Sequence, residues 1–258
     1  MERVGVIIVA GGAGTRCGGR VPKQFALLGG MPVLARTIGN FARALPGAQI
    51  VAVLPAEQID YWQNLRARFD VASHAVVAGG AERFDSVRNG LAALPADVEV
   101  IAVQDGVRPL GTPKLIRRTV AEAMEHGTAV PVVEATDSYR EVGAGRETAF
   151  GGSEAFGGSE AFGRDAADEG SRPVDRSRLR IVQTPQIFRA ALLREAYGTD
   201  YCEAFTDDAS VVERSGCAVH LCEGERGNLK ITTPEDFAIA EALLAIREEE
   251  TYRELPAE

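Results

Sequence analysis

Short runs of interior-type residues, Val4–Ala10, Gln49–Leu54, Val98–Gln104 and Ala129–Val133, recur through the first half of this chain with helical patterns between them. A strand that is apolar at nearly every position, rather than at every second one, leaves no face for water and belongs in a parallel sheet covered on both sides. The segments between carry the helical period: Pro32–Leu45, Glu57–Phe69, Phe84–Leu94 and Pro113–His126, two of them opening on a proline suited to a first turn. His74–Ala78 reads as a further short strand. The expected fold is α/β, a Rossmann-like, mostly parallel twisted sheet with helices on both faces. Ligands of such sheets bind beyond the carboxyl ends of the strands. The loops after Ala10 and after Gln104 fall at such ends.

With 258 residues the chain can form one large domain or two small ones, and 45% apolar content supplies a substantial core. The formal charge of −9 argues against nucleic acid as a partner, because duplex binding relies on a basic face. A small anionic ligand needs only a local cluster of cations. No stretch reaches the roughly 18 to 20 apolar residues that span a bilayer. The opening apolar run leads into glycines rather than a cleavage site, so neither a membrane anchor nor a signal peptide is expected. Cys17, Cys202, Cys217 and Cys222 form no C-x-x-C pair, and the three histidines are scattered. That pattern argues against a structural zinc site or a disulfide framework and fits a reducing cytoplasm.

The first strand drops into Gly11, Gly12 and Gly14, followed by Arg16, Gly18, Gly19 and Lys23. The loop is not a dinucleotide fingerprint: Gly12-Ala13-Gly14 would require glycine where Cys17 stands, and the second strand ends in Pro55 rather than an acidic residue. It is not a P-loop either, since no lysine follows glycine at that spacing. What remains is either a tight turn with surface charges or a backbone nest for anionic oxygens with two cations beside it. A guanidinium forks onto phosphate, whereas lysine acts as a point charge. Of the 28 basic residues only Lys23, Lys114 and Lys230 are lysine, so each of these three asks for a reason.

The middle of the chain departs from the alternation. Residues 143–172 are rich in Gly, Ser and Glu, and AFGGSE occurs twice in tandem before a final AFG. Six residues are too few for a solenoid unit, so this is read as an expanded surface loop. Order resumes with Arg178–Thr184, a helix over Arg189–Tyr197, a helix over Asp207–Ser215 capped by Thr206 or Asp207, a strand Ala218–Cys222, a short strand Leu229–Thr232 and a final helix from Pro234 to Glu249.

Three further stretches carry chemistry-bearing residues: GGAERFDSV from Gly79, QDGVRP from Gln104, and GNLKIT from Gly227. Together with AGGAGTRCGGRVPKQF, ATDSYREV, VDRSRLRIVQTPQIF, FTDDASVVE and NLKITTPEDF, they run in order over nearly the whole chain. In this the chain resembles the 2-C-methyl-D-erythritol 4-phosphate cytidylyltransferases of the non-mevalonate isoprenoid pathway.

The resemblance implies a nucleotidyltransferase-type sheet, residues 1–258 as a single cytidylyltransferase domain, with a projecting β-arm at 137–182 that serves dimerisation. It implies transfer of CMP from CTP to methylerythritol 4-phosphate by direct attack on the α-phosphorus, with magnesium held mainly by the CTP phosphates. By the same analogy Arg16, Lys23 and Lys230 are catalytic. The nucleotide is held near Ala10, Gly11, Gly12, Gly14, Gly80, Ala81, Ser86 and Asp105, and the acceptor meets Asp105, Arg108, Thr206 and Lys230. Ser138 and Arg176 match the hydroxyl and arginine that an arm supplies to a neighbouring subunit, which implies a homodimer with shared sites. Ala81 stands where many relatives carry aspartate, so one side-chain contact to the base is lost. Two alternatives from the same residues are a cytidylyltransferase for another polyol phosphate, ribitol 5-phosphate, and a non-catalytic nucleotide-binding regulator. The regulator reading sits badly with Arg16, Lys23 and Lys230, because a binder gains nothing from charge placed for a transition state.

Overall fold

The computed structural model describes residues 3–11, 21–142 and 171–253, which form two compact units. Met1–Val133 with Val182–Glu258 make the larger, and Glu134–Ile181 the smaller. In chain order the elements are β1 Val4–Val9, β2 Leu27–Leu28, β3 Met31–Pro32, α1 Val33–Ala44, β4 Gln49–Leu54, α2 Ile59–Arg66, β5 Ala75–Ala78, α3 Arg83–Ala93, β6 Val100–Asp105, α4 Pro113–His126 and β7 Thr128–Glu134. There follow β8 Tyr139–Glu141, β9 Arg172–Val174, β10 Arg180–Val182, β11 Gln186–Arg189, α5 Ala190–Ala196, α6 Asp208–Arg214, β12 Leu221–Glu223 and α7 Pro234–Arg253.

The main sheet runs β7–β11–β6–β1–β4–β5, with β12 laid on β7. β5, β4, β1 and β6 are mutually parallel, as their continuous apolar runs require. The chain leaves β1 toward β4 and β5, then returns to place β6 on the other flank of β1. That reversal opens a crevice between the carboxyl ends of β1 and β6, the position where open α/β sheets receive ligands. Val9 is registered against Asp105, so the glycine loop and the QDGVRP loop leave the sheet side by side.

Each face of the sheet builds its own core. Val6, Ile8, Ala52 and Ala102 pack with Leu34, Ile38 and Phe41 of α1, Trp62 of α2 and Ile116 and Val120 of α4. Ile7, Val51, Val53, Ile101 and Val103 pack on the other side with Phe84, Val87 and Leu91 of α3, Leu193 of α5 and Val211 of α6. A third cluster joins Leu28, Val33, Val107 and Leu110 to Ile231 and to Ala240 of α7. It ties the residues flanking Lys230 to the loop after β6. No helix among the described residues is long and apolar enough to cross a membrane.

α4 spans the sequence expectation residue for residue, because its ends are chemically marked. Thr112 accepts from the Leu115 N–H, Pro113 follows it, and Gly127 at φ +87° closes the helix. Elsewhere the structure departs from the sequence reading. β11 lies where the sequence reading assigns no element, between Thr184 and the helix that follows. It is a four-residue strand, antiparallel to both β6 and β7 and inserted between them. Its alternation is masked because Gln186 and Phe188, on one face, and Ile187, on the other, are all buried. Leu229–Thr232 is not a strand; it is an extended segment held by the Ile231 N–H donating to the Val107 carbonyl at 2.9 Å. α6 is capped by Asp207 rather than Thr206.

The smaller unit is a hairpin, with Tyr139, Arg140 and Glu141 of β8 registered antiparallel against Val174, Pro173 and Arg172 of β9. All six of these residues lie outside any core cluster, and five are exposed.

Because β11 fills the centre of the sheet with fully buried Phe188, Phe188→Ala is expected to cost about 3–5 kcal/mol in urea unfolding. A loop residue in the same segment would cost only a few tenths.

Candidate active site

The first wall of the crevice is backbone. Ala10 donates its N–H to the Val53 carbonyl at 2.9 Å, and its own carbonyl accepts from Gln24 Nε2 at 3.2 Å. Gln24 is buried and also donates to Gln58 at 2.8 Å. Lys23 precedes it, opening a single 3-10 turn over Lys23–Phe25. Gln24 therefore anchors the segment that presents Lys23, a role that sequence reasoning missed. Gly12, Gly14 and Arg16 lie outside the described residues.

Gly11 is close to the start of α3: a Cβ there would sit 3.6 Å from Ser86 Oγ. The glycine pair ahead of α3 is required by crowding. A Cβ on Gly79 would fall 2.8 Å from Ser86 Oγ, and one on Gly80 would fall 2.2 Å from Asp85 Cβ. The Ser86 hydroxyl accepts from the Gly80 N–H at 3.1 Å and donates to the Glu82 carbonyl at 3.1 Å. Gly11, Gly80 and Ser86 are thus brought together from opposite sides of β4, and Ala81 stands exposed in the same turn.

The second wall carries the charge. Asp105 Oδ2 lies 3.1 Å from Lys230 Nζ and 3.2 Å from Arg108 Nε. Arg108 also donates through Nη1 to the Asn228 carbonyl at 2.9 Å. The Asp105 side chain is 13% exposed and Arg108 10%, whereas Lys230 is 46% exposed and faces open space. Burial alone would push the Asp105 carboxyl up; Lys230, Arg83 and Arg108 outweigh it and hold the group below the usual carboxylate range.

The TPQ and GNLK motifs find their reason behind this triad. The Asp105 N–H donates to Thr184 Oγ1 at 3.1 Å, and buried Asn228 donates to the Thr184 carbonyl at 2.8 Å and to Gln183 Oε1 at 3.3 Å. The Thr184–Pro185 peptide is cis. Gln186 reaches the other way, donating to Asp207 Oδ2 at 2.8 Å and accepting from the Ala209 N–H at 2.8 Å. It thereby docks β11 onto the start of α6, next to exposed Thr206.

Asp208 is the deepest charge in the unit, with no exposed side-chain surface. Arg83 meets it in two parallel hydrogen bonds of 3.1 and 2.6 Å, and the Tyr197 hydroxyl donates to it at 2.7 Å. Asp208 in turn holds the Arg83 guanidinium firmly in its charged form against the burial that opposes it. Burial, followed by the Asp208 charge, pushes the Tyr197 phenol far up and keeps it a neutral donor. This ion pair locks the first turn of α3, which carries Ser86, to the TDDAS segment. Nothing in the linear sequence couples residues 83 and 208, since both helices carry other charged residues.

Within the smaller unit Arg176 donates to the Thr136 carbonyl, two residues from exposed Ser138. Asp175 caps the turn Arg176–Arg178 by accepting from the Ser177 N–H at 3.1 Å. A cavity of about 520 Å³ beside Arg176 is lined by Glu134, Ala135, Thr136, Asp175, Ser177 and Arg180.

The crevice therefore gathers Lys230 and Arg108, with the charge of Arg83 beyond them, around one ionised carboxylate. The three histidines are engaged elsewhere: His74 with Trp62 and the Ala72 carbonyl, His126 and His220 with Glu122. Such a site can position and neutralise phosphates, and has no His-activated nucleophile.

Comparison with known proteins agrees. A profile of the 2-C-methyl-D-erythritol 4-phosphate cytidylyltransferase family matches residues 4–149 and 164–246, leaving out the repeat-bearing stretch between them. The enzyme of that name from Bacteroides thetaiotaomicron is 44% identical over 241 residues, 93% of this chain and 98% of its own length. That from Porphyromonas gingivalis is 43% identical, covering 92% and 96%. The crystal structure of the Thermus thermophilus enzyme superposes with a TM-score of 0.69 at 30% identity, covering 95% of this chain and 100% of that one.

Two outcomes test the electrostatics. Asp105 contributes stability that is complete above its unfolded value of about 3.9 and is lost as pH falls through its lowered folded value. Asp105→Asn is expected to flatten that part of the acid limb when urea stability is followed from about pH 5 downward. Arg83→Met leaves Asp208 buried without its ionic partner, and is expected to lower the unfolding free energy by about 3–5 kcal/mol, with the denaturant slope unchanged.

Proposed function

This chain belongs to the 2-C-methyl-D-erythritol 4-phosphate cytidylyltransferase family, and from that membership we propose that it transfers CMP from CTP to 2-C-methyl-D-erythritol 4-phosphate. The products are 4-diphosphocytidyl-2-C-methyl-D-erythritol and pyrophosphate. The observation that carries this reading is the Lys230–Asp105–Arg108 triad at the carboxyl end of β6, where Val9 at the end of β1 lies alongside Asp105.

An oxygen of the acceptor phosphate attacks the α-phosphorus, the new P–O bond forms, and the bond to the β-phosphate oxygen breaks, with its electron pair leaving on pyrophosphate. The nucleophile is already an anion, so the protein needs no base. Its work is to bring two anions together and to neutralise the charge that gathers between them. Arg16 and Lys23 serve the α-phosphate and the departing pyrophosphate. Lys230 faces the attacking phosphate, and its ion pair with Asp105 fixes where the ammonium sits. Backbone groups of Ala10, Gly11 and Gly80, with Ser86 behind them, read the cytosine; Gly12 and Gly14 serve the phosphates, and Ala81 adds only a methyl group.

Asp105, Arg108, Thr206 and Lys230 receive the acceptor, completed by Ser138 and Arg176 from the arm of a second copy in a homodimer. The exposure of Tyr139 and Val142 on the arm, at 38% and 68%, supports a partner for that surface. Asp105 is a carboxylate already held by two cations, which suits an ion carried by the nucleotide rather than caged by protein. Magnesium bound with the nucleotide would supply the remaining charge neutralisation. The enzyme works in the cytoplasm.

The test is pyrophosphate release by purified protein with CTP and magnesium. Methylerythritol 4-phosphate is expected to support turnover and ribitol 5-phosphate is not. Lys23→Ala and Lys230→Ala should each lower kcat by about 10²–10³-fold, the range for removing one group that stabilises transition-state charge. Release with ribitol 5-phosphate alone would overturn the acceptor, and nucleotide binding without release from either would favour the regulator.

A further inference from the structure

Two of the three histidines, scattered in the sequence, meet in the fold. His126 is the last residue of α4, and His220 lies just before β12. Their rings stack with centroids 3.8 Å apart and planes 24° from parallel. Both Nε2 atoms turn to one carboxylate oxygen, Glu122 Oε2, which lies 3.0 Å from His220 and 3.5 Å from His126. Glu122 and His126 share one face of α4 by their four-residue spacing. His220 comes from 98 positions beyond Glu122. All three belong to the larger unit, at the end of the sheet opposite the crevice, where α4 stops and β7 begins.

We propose that Glu122, His126 and His220 form a binding site for a first-row transition cation of the zinc class. Two imidazole nitrogens and one carboxylate oxygen are a borderline donor set that zinc, nickel and copper accept and that magnesium and calcium do not favour. The donor atoms all lie within 4.8 Å of one another. A tetrahedral ion with bonds of about 2.0–2.1 Å needs its ligand atoms about 3.3 Å apart. The two carboxylate–imidazole separations, 3.0 and 3.5 Å, bracket that edge.

One half of the site is fixed in place. The His220 N–H donates to Thr128 Oγ1 at 2.8 Å and its carbonyl accepts from the Val130 N–H at 2.9 Å, so the backbone carrying the ring is part of the sheet. The other half can adjust: the His126 side chain is 38% exposed, and coordination tilts its ring out of the stack. The end of a helix where carbonyls point outward favours a cation. Glu125, with an oxygen 3.9 Å from His126 Nε2, adds a second negative charge, and water completes the shell. The ion would clamp α4 to the strand that leads on to Asn228 and Lys230. The site serves stability and does not touch the reacting phosphates.

The experiment uses full-length protein stripped with EDTA and titrated with Zn²⁺ alone, without nucleotide, by calorimetry and thermal unfolding. Co²⁺ serves as the spectroscopic probe. Saturation at one equivalent, a raised Tm and a tetrahedral Co²⁺ spectrum are expected. Binding should weaken by more than about tenfold in His126→Ala, His220→Asn and Glu122→Gln, since even indirect partners of a ligand are worth that much. Glu122→Gln is the variant least able to disturb folding, because the residue is part exposed and its replacement is isosteric. Asp105→Asn should retain the site, separating it from the crevice. Absence of saturable binding overturns the proposal. So does binding that survives all three substitutions, or that is lost only on blocking exposed Cys202.

Discussion

Asp105 keeps its negative charge at the end of β6, nearly closed to water, because Lys230 and Arg108 pair with it and the charge of Arg83 adds to theirs. The rest of the site is arranged around that fact. Lys230 and Arg108 are oriented by the same carboxylate oxygen, and Arg108 passes the constraint on to Asn228 through its carbonyl. An ammonium on four rotatable bonds would otherwise sample many positions. The ion pair fixes one end of that stem while 46% of the side chain stays exposed.

A charge so placed needs neighbours that cannot move. Buried Gln183, Thr184, Gln186 and Asn228 supply them through short hydrogen bonds to backbone and to each other. In a low-dielectric interior such a network specifies a single arrangement, since every alternative strands a polar group. The Arg83–Asp208–Tyr197 set does the same for the opposite wall, holding the turn that carries Gly80 and Ser86. Both networks start from β11 or from the helix beside it. A four-residue strand thus becomes the platform that supports two walls at once.

The larger unit and the arm divide the labour differently. Apolar clusters on both sheet faces give the first its own stability. The hairpin β8–β9 has no such cluster, and its charged pairs, among them Arg172 with Glu141 at 2.7 Å, are open to solvent and weakly stabilising. A hairpin without a core gains its stability from what it packs against.

The alternation of apolar runs and helical periods was enough to read a mostly parallel sheet, because strands buried on both faces leave a pattern no other fold produces so regularly. Glycine and cation spacing in the opening loop, with QDGVRP and GNLKIT, pointed to a phosphate site, because short motifs carry their local chemistry in consecutive residues. The caps of α4 were legible for the same reason. β11 was not, since burial on both faces erased its period. Nor was the pairing of Arg83 with Asp208, of Asp105 with Lys230, or of His126 with His220. Those contacts join residues far apart along the chain, and their energies depend on distance and burial. Sequence determines which groups are available. Only the packed structure brings a chosen few within hydrogen-bonding reach of one another and removes the water that would otherwise screen them.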